Sequence, residues 1–97
     1  MTNNDNILFI NRDRMLLEDL GQSLQEHGYS VHTAFDMRGA LSALSAGSVN
    51  LIICDNKLQD VTGYELLRFL KNDPLREKIP FIFLVPINDQ GRAMNAF

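Results

Sequence analysis

The stretch VNLIICDNKLQDVTGYELLRFLKN, residues 49–72, determines the fold class of this chain. It opens with a short apolar run, residues 49–54, and then places Asp55 at the start of a polar loop. After the loop, Thr62 and Glu65 stand at capping-box spacing before leucines that recur at helical intervals. The stretch therefore predicts a buried strand, a loop and a helix in that order.

Similar patterns lie on both sides of this stretch. Strands are predicted at residues 7–10, 29–34 and 81–85, and the first of these is a continuous apolar run typical of a strand buried on both faces. Helical patterns fill the two intervals between the strands before Asp55, and each ends at a glycine. We expect Asp36 to cap the second helix, and the expected buried face of the first helix is Met15, Leu16, Leu17, Leu20 and Leu24.

The regular alternation of strands and helices predicts the topology. Strands joined through helices form right-handed crossovers around a parallel sheet, with helices on both faces. Functional sites of such sheets lie at the carboxyl ends of the strands. In this sequence that edge receives residues 11–13 after the first strand, Asp55 after the third, and Val85 after the fourth.

Composition limits the classes of function. The 97 residues, 45% hydrophobic and 22% charged, suit one globular domain spanning residues 1–97. A formal net charge of -3 leaves no basic surplus, so we expect no direct binding to nucleic acid. The apolar runs are too short to cross a bilayer, and Cys54 is expected to be a buried small hydrophobe, so a cytoplasmic, membrane-free protein is predicted.

The stretches ILFINRD, LIICDNKLQDVTG and IPFIFLVPIND resemble the receiver domains of two-component response regulators, in order and over nearly the whole chain. The resemblance implies an α/β, flavodoxin-like, doubly wound parallel sheet with strand order 2-1-3-4. We expect this receiver to be incomplete at its C-terminus, without the final strand and helix, because a fourth helix pattern has only begun at residues 88–97. The resemblance also makes Asp55 the phosphoacceptor position.

Three positions depart from the family pattern. Asn11 and Arg12 stand where family members carry an acidic pair, and Val85 stands where they carry a hydroxyl residue. Because a guanidinium cannot lose its proton, Arg12 would neutralise the acceptor carboxylate and take the place of a metal. The plainer alternative is that Arg12 is a solvated surface charge.

A magnesium ion is therefore expected to bind weakly or not at all. If a metal binds, the resemblance implies Asp13, Asp55 and the backbone carbonyl of Lys57 as ligands. Asp13 has a second role open to it, as the cap of the first helix, which we favour. Asp55 also has a plainer alternative, as the polar residue of a turn that ends a strand.

Three classes of function are considered. The first is a receiver that accepts, or formerly accepted, a phosphoryl group on Asp55 from a sensor histidine kinase or phosphotransfer protein and controls an attached output domain missing from this chain. The second is a pseudo-receiver that acts by protein interaction or dimerisation, and we expect a homo-oligomer through the apolar fourth strand. The third class, an enzyme, is the weakest, because no Gly-rich phosphate loop follows the first strand. At most, we expect the chain to transfer a phosphoryl group onto its own aspartate.

Overall fold

A computed structural model of the chain describes residues 5–58 and 60–85. Over these residues four strands alternate with three helices. In chain order the elements are β1 Asn6–Ile10, α1 Arg14–Glu26, β2 Ser30–Ala34, α2 Met37–Ala46, β3 Leu51–Asp55, α3 Gly63–Lys71 and β4 Phe81–Leu84. The predicted alternation of strands and helices is confirmed.

The four strands form one parallel sheet in the order β2-β1-β3-β4. Ile10 of β1 pairs with Ala34 of β2 and with Cys54 of β3, and Asp55 of β3 pairs with Leu84 of β4. This register brings the carboxyl ends of three neighbouring strands to one edge of the sheet. The predicted fold class and strand order are confirmed.

Side chains alternate between the two faces of the sheet, and helices cover both. β1 is central, and its residues 7–10 are all buried, as the continuous apolar run predicted. The face covered by α2 and α3 holds a core cluster that consists of Leu8, Ile10, Ala34, Ala40, Leu44, Ile52, Cys54, Leu58, Leu66 and Leu70. α1 packs against β1 and β2 on the other face, where Leu17 is buried.

The helices begin where the sequence predicted caps. Asp13, Asp36 and Thr62 are the N-cap residues of α1, α2 and α3, and each side chain accepts a hydrogen bond from a backbone N–H in the first turn. After α1 the chain turns through Gly28, whose φ of 94° lies in the left-handed region that favours glycine. These local signals fix both ends of α1 and the starts of the other helices.

Some boundaries and one buried residue differ from prediction. β3 is Leu51–Asp55 rather than residues 49–54, because Asp55 still pairs with β4. Met15, predicted to be buried, is 74% exposed, since it lies in the first turn of α1 beyond the sheet. The predicted helix at residues 88–97 lies outside the described residues. None of the helices in the described part of the chain is long and apolar enough to span a membrane.

Candidate functional site

A cavity of about 420 Å³ lies at the carboxyl edge of the sheet. It is lined by Asn11, Arg12, Asp13, Leu16, Asp55, Leu84 and Val85. Five of these were candidate site residues, so the strand ends do bring them together. Leu16 and Leu84 were not singled out as site residues, although each is near a strand end in sequence, and with Val85 they make one wall of the cavity apolar.

Asp55 is the last residue of β3 and is only 7% exposed. Its two carboxylate oxygens have different partners. Oδ1 accepts a hydrogen bond from the backbone N–H of Lys57 at 3.3 Å, whereas Oδ2 lies 3.8 Å from Nε of Arg12. The first contact is the turn interaction of the plainer alternative, and the second joins Asp55 to the cavity. The turn contact of the plainer alternative is therefore present, and the same carboxylate also lines the cavity.

Arg12 forms an ion pair with Asp55 and is not simply a solvated charge. Its side chain is 53% exposed, compared with 10% for that of Asp55, so one partner is open to water and the other is mostly enclosed. Ion pairs with an exposed partner typically contribute about 0.2–1 kcal/mol to stability. The pair matters more for the local charge, because the guanidinium, which cannot lose its proton, offsets the negative charge of the Asp55 carboxylate.

The short connection between β1 and α1 is held by its own side chains. Asn11 is 4% exposed, and its Oδ1 accepts a hydrogen bond from the backbone N–H of Asp13 at 2.8 Å. Oδ1 of Asp13 in turn accepts from the backbone N–H groups of Met15 and Leu16, at 3.1 and 3.2 Å. Of the two roles open to Asp13, the structure has the helix cap.

The residues at this edge do not fit a magnesium ion. Magnesium prefers an octahedron of hard oxygen ligands, usually carboxylates and waters. Here the connection after β1 offers an amide oxygen already bonded to the backbone N–H of Asp13, a cationic guanidinium, and a carboxylate engaged in capping. Residues 5–58 and 60–85 contain no group of three or more His, Cys, Asp or Glu side chains that could hold a metal ion.

The connection after β3 is closed by backbone contacts. Lys57 and Thr62 pair as an isolated antiparallel bridge, and the N–H of Gly63 donates to the carbonyl of Asn56 at 2.9 Å. A Cβ added at Gly63 would lie 2.3 Å from the backbone oxygen of Asp55. A glycine is needed at position 63 for this close approach of the backbone and not for a left-handed conformation, since the φ of Gly63 is not positive.

Cys54 lies directly before Asp55 but takes no part in the chemistry of the cavity. Burial, and then the negative charge of Asp55, raise the pKa of its thiol from 9.0 to about 12. The thiolate is the reactive form of cysteine, so this thiol stays protonated and inert near neutral pH. The expectation that Cys54 is a buried small hydrophobe is confirmed.

Comparison with known proteins decides the family. The model of the response regulator receiver domain family matches residues 7–97. The chain belongs to this family. Among solved structures, the receiver matches the chemotaxis response regulator CheY4 of Vibrio cholerae with a TM-score of 0.83 at 22% identity, covering 94% of this chain and 77% of that one.

Two further relatives extend the comparison. The receiver domain of a signal transduction histidine kinase from Syntrophus aciditrophicus is 30% identical, with a TM-score of 0.79, over 96% of this chain and 73% of that one. The transcriptional regulatory protein CrdR of Helicobacter pylori is 32% identical over 91 residues, or 94% of this receiver. The receiver spans only 42% of the length of CrdR.

Proposed function

We propose that this receiver controls an attached output domain in a two-component pathway, and that metal-dependent phosphorylation of Asp55 is weak or lost. The observation that carries the proposal is the Arg12–Asp55 ion pair, in which Nε lies 3.8 Å from Oδ2. Phosphoryl transfer depends on cations and donors held around the transferred oxygens. A half-exposed arginine neutralises the acceptor without supplying the coordination positions that a metal offers.

The apolar wall of the cavity supports the same conclusion. Leu84 and Val85 lie beside Asp55 and carry no hydrogen-bond donor on their side chains. Transferred phosphoryl oxygens on Asp55 would face this wall without the hydroxyl that the family pattern places at position 85. In that case the receiver signals through protein contacts, as in the pseudo-receiver hypothesis. We propose that its partner is a histidine kinase or a phosphotransfer protein, as for related receivers.

A receiver that still accepts phosphoryl groups is the second candidate. It is favoured by the position of Asp55, which ends β3 and lines an open cavity of about 420 Å³. The adjacent backbone carbonyl of Lys57 is present whatever the side chain. In this case Arg12 would have to leave Asp55 before a phosphodonor enters.

Phosphorylation by a small donor distinguishes the two candidates. The receiver is incubated with acetyl phosphate or phosphoramidate, with and without magnesium, and its intact mass is followed. We expect most of the chain to stay unmodified under both conditions. A stable adduct that maps to Asp55 in high yield and depends on magnesium would instead establish the second candidate, and an Asp55→Asn variant controls for modification elsewhere.

We also propose that the receiver self-associates. β4 is an edge of the described sheet, and its Ile82 is 50% exposed. An apolar edge strand without charged residues is the kind of strand that favours association with another chain. Light scattering over a concentration series should show a dimer or larger species. A monomer that persists at tens of micromolar would contradict this proposal without affecting the one on Asp55.

A further inference from the structure

Asp60 makes a contact that the chemistry around Asp55 does not use. Its Oδ1 accepts a hydrogen bond from the backbone N–H of Met37 at 2.9 Å. Met37 is the first residue of α2, whereas Asp60 lies 23 residues later, in the loop between Asp55 and α3. The contact therefore ties the loop after the acceptor position to the start of a different helix.

Two carboxylates share the N-terminus of α2. Asp36, the local cap, accepts from the N–H of Gly39 at 2.7 Å, and Asp60 takes the N–H of Met37. The first backbone N–H groups of a helix have no partner within the helix, so each carboxylate satisfies a donor that the other does not reach. The hydrogen bond from Met37 is the main cause that lowers the pKa of Asp60, followed by smaller bonds from nearby backbone N–H groups. The contact thus favours the ionised carboxylate.

The loop that carries Asp60 is closed on itself. The N–H of Leu58 donates to the carbonyl of Val61 at 2.9 Å, and Lys57 pairs with Thr62. Lys57 also donates its backbone N–H to Oδ1 of Asp55. Hydrogen bonds therefore link Asp55, through Lys57, to the loop that carries Asp60.

We propose that Asp60 is a positioning residue, a latch that couples the loop after Asp55 to the first turn of α2. When the latch is closed, the loop and the helix start hold each other in place. When an event at Asp55 moves the loop, Met37 loses its acceptor and the first turn of α2 loosens. This coupling goes beyond the proposed function, because it operates whether Asp55 is phosphorylated or only contacted by a partner.

The Asp60–Met37 latch lies next to a surface cavity. Met37 lines a cavity of about 580 Å³ between α2 and α3, together with Tyr64 and the half-exposed Phe69. A change in the first turn of α2 alters the wall of this cavity. A change in the loop after Asp55 thereby changes the shape of a surface that lies away from Asp55.

Amide exchange measured by NMR tests the latch with a matched control. Asp60→Ala removes the remote carboxylate, and Asp36→Ala removes the local one from the same helix end. Losing one helix cap corresponds to about a fivefold increase in local opening, which we expect at Met37 in Asp60→Ala. The amide shifts of Leu58 and Gly63 should move in Asp60→Ala but not in Asp36→Ala, and Asp60→Asn should recover part of the protection because its amide oxygen can accept.

A pH titration of the unaltered chain provides a second measurement that does not depend on how well a variant folds. Charged groups on the segments that meet here are Asp36 at the N-cap of α2, Arg38 on α2, Lys57 in the loop and Glu65 on α3. The amides of Met37 and Leu58 should shift together, with a midpoint below the ordinary value of 3.8, and this transition should vanish in Asp60→Asn. Unchanged exchange at Met37 in Asp60→Ala, or loop amides that respond equally to Asp36→Ala, would overturn the latch.

Discussion

The connections after β1 and after β3 meet at the same edge of the sheet but are held in different ways. The first, residues 11–13, depends on side chains, since Asn11 bonds the backbone of Asp13 and Asp13 caps α1. The second, residues 56–62, is closed by backbone pairing, and Gly63 brings α3 against the carbonyl of Asp55. The Asp55 side is thus held by backbone shape, whereas the connection after β1 is held by the side chains of Asn11 and Asp13.

Because the end of β3 is enclosed, the largest expected effect is on the reactivity of the Cys54 thiol. With its pKa raised from 9.0 to about 12, the thiol should carry about a thousandfold less thiolate near pH 8 than an unfolded chain. Alkylation should be correspondingly slow in buffer and fast in denaturant. Because the thiol of the unfolded chain ionises first, stability from this group is complete below pH 9 and is lost as the pH rises toward 12. Equal alkylation rates in the two conditions would show that the β3 side is open.

Substitution of Gly63 is the most direct way to disrupt the connection after β3, which is closed by backbone contacts. In Gly63→Ala the new Cβ would meet the carbonyl oxygen of Asp55 at 2.3 Å and the Phe83 ring at 3.0 Å. Overpacking of this kind costs about 1–3 kcal/mol, and we expect the upper part of that range because the nearer atom belongs to the backbone. Chemical denaturation measures the free energy of unfolding.

Gly47→Ala is the matched control. Nothing lies within 4 Å of a Cβ at Gly47, and its φ of -178° is extended backbone that any residue adopts. We expect a change within about 0.5 kcal/mol, as for surface substitutions generally. If the two alanine variants lost equal stability, the close approach at Gly63 would not limit the fold.

Two substitutions in the connection after β1 should convert it into a magnesium site. Asn11→Asp together with Arg12→Asp adds two hard oxygen ligands beside Asp55 and removes the competing cation, so magnesium affinity should rise about tenfold or more. Amide shifts near Asp55, followed during magnesium titration, measure it. Arg12→Ala alone separates removal of the cation from addition of ligands. Saturable binding below a millimolar by the unaltered chain would contradict our account of this connection.

The smallest expected effect is that of the Arg12–Asp55 pair on stability. Arg12→Ala should lower the free energy of unfolding by no more than about 1 kcal/mol, because the guanidinium is half exposed. The loss should shrink in high salt, which screens exposed charges. A loss of several kcal/mol, insensitive to salt, would mean that Arg12 is a structural part of the fold.

Much of the fold could be predicted because its signals are local. The apolar runs, the capping residues Asp13 and Asp36, and Gly28 each specify a boundary from a few neighbouring residues. Strand ends were misplaced by one or two residues, since pairing with a neighbouring strand decides them. That neighbour is distant in the sequence, as in the pairing of Asp55 with Leu84.

Most members of the site could be predicted, whereas the sequence left their contacts open between alternatives, such as a paired or a solvated Arg12. Parallel strands alone place Arg12, Asp55 and Val85 around one cavity. The direction of a long arginine side chain depends on rotamers that a sequence pattern does not encode. The Asp60–Met37 contact lacks a sequence signal altogether, because it joins a side chain to a backbone N–H 23 residues away.

The central position of β1 has a consequence for how the chain is made. β1 is synthesised before the other three strands, yet Ile7 pairs with Leu51, 44 residues later. At about 5–20 residues per second, translation of that interval takes roughly two to nine seconds. During this time four apolar residues destined for full burial have only β2 as a strand partner. The nascent chain is therefore most exposed to aggregation before β3 emerges, and slowing translation within residues 35–50 should lower the soluble yield.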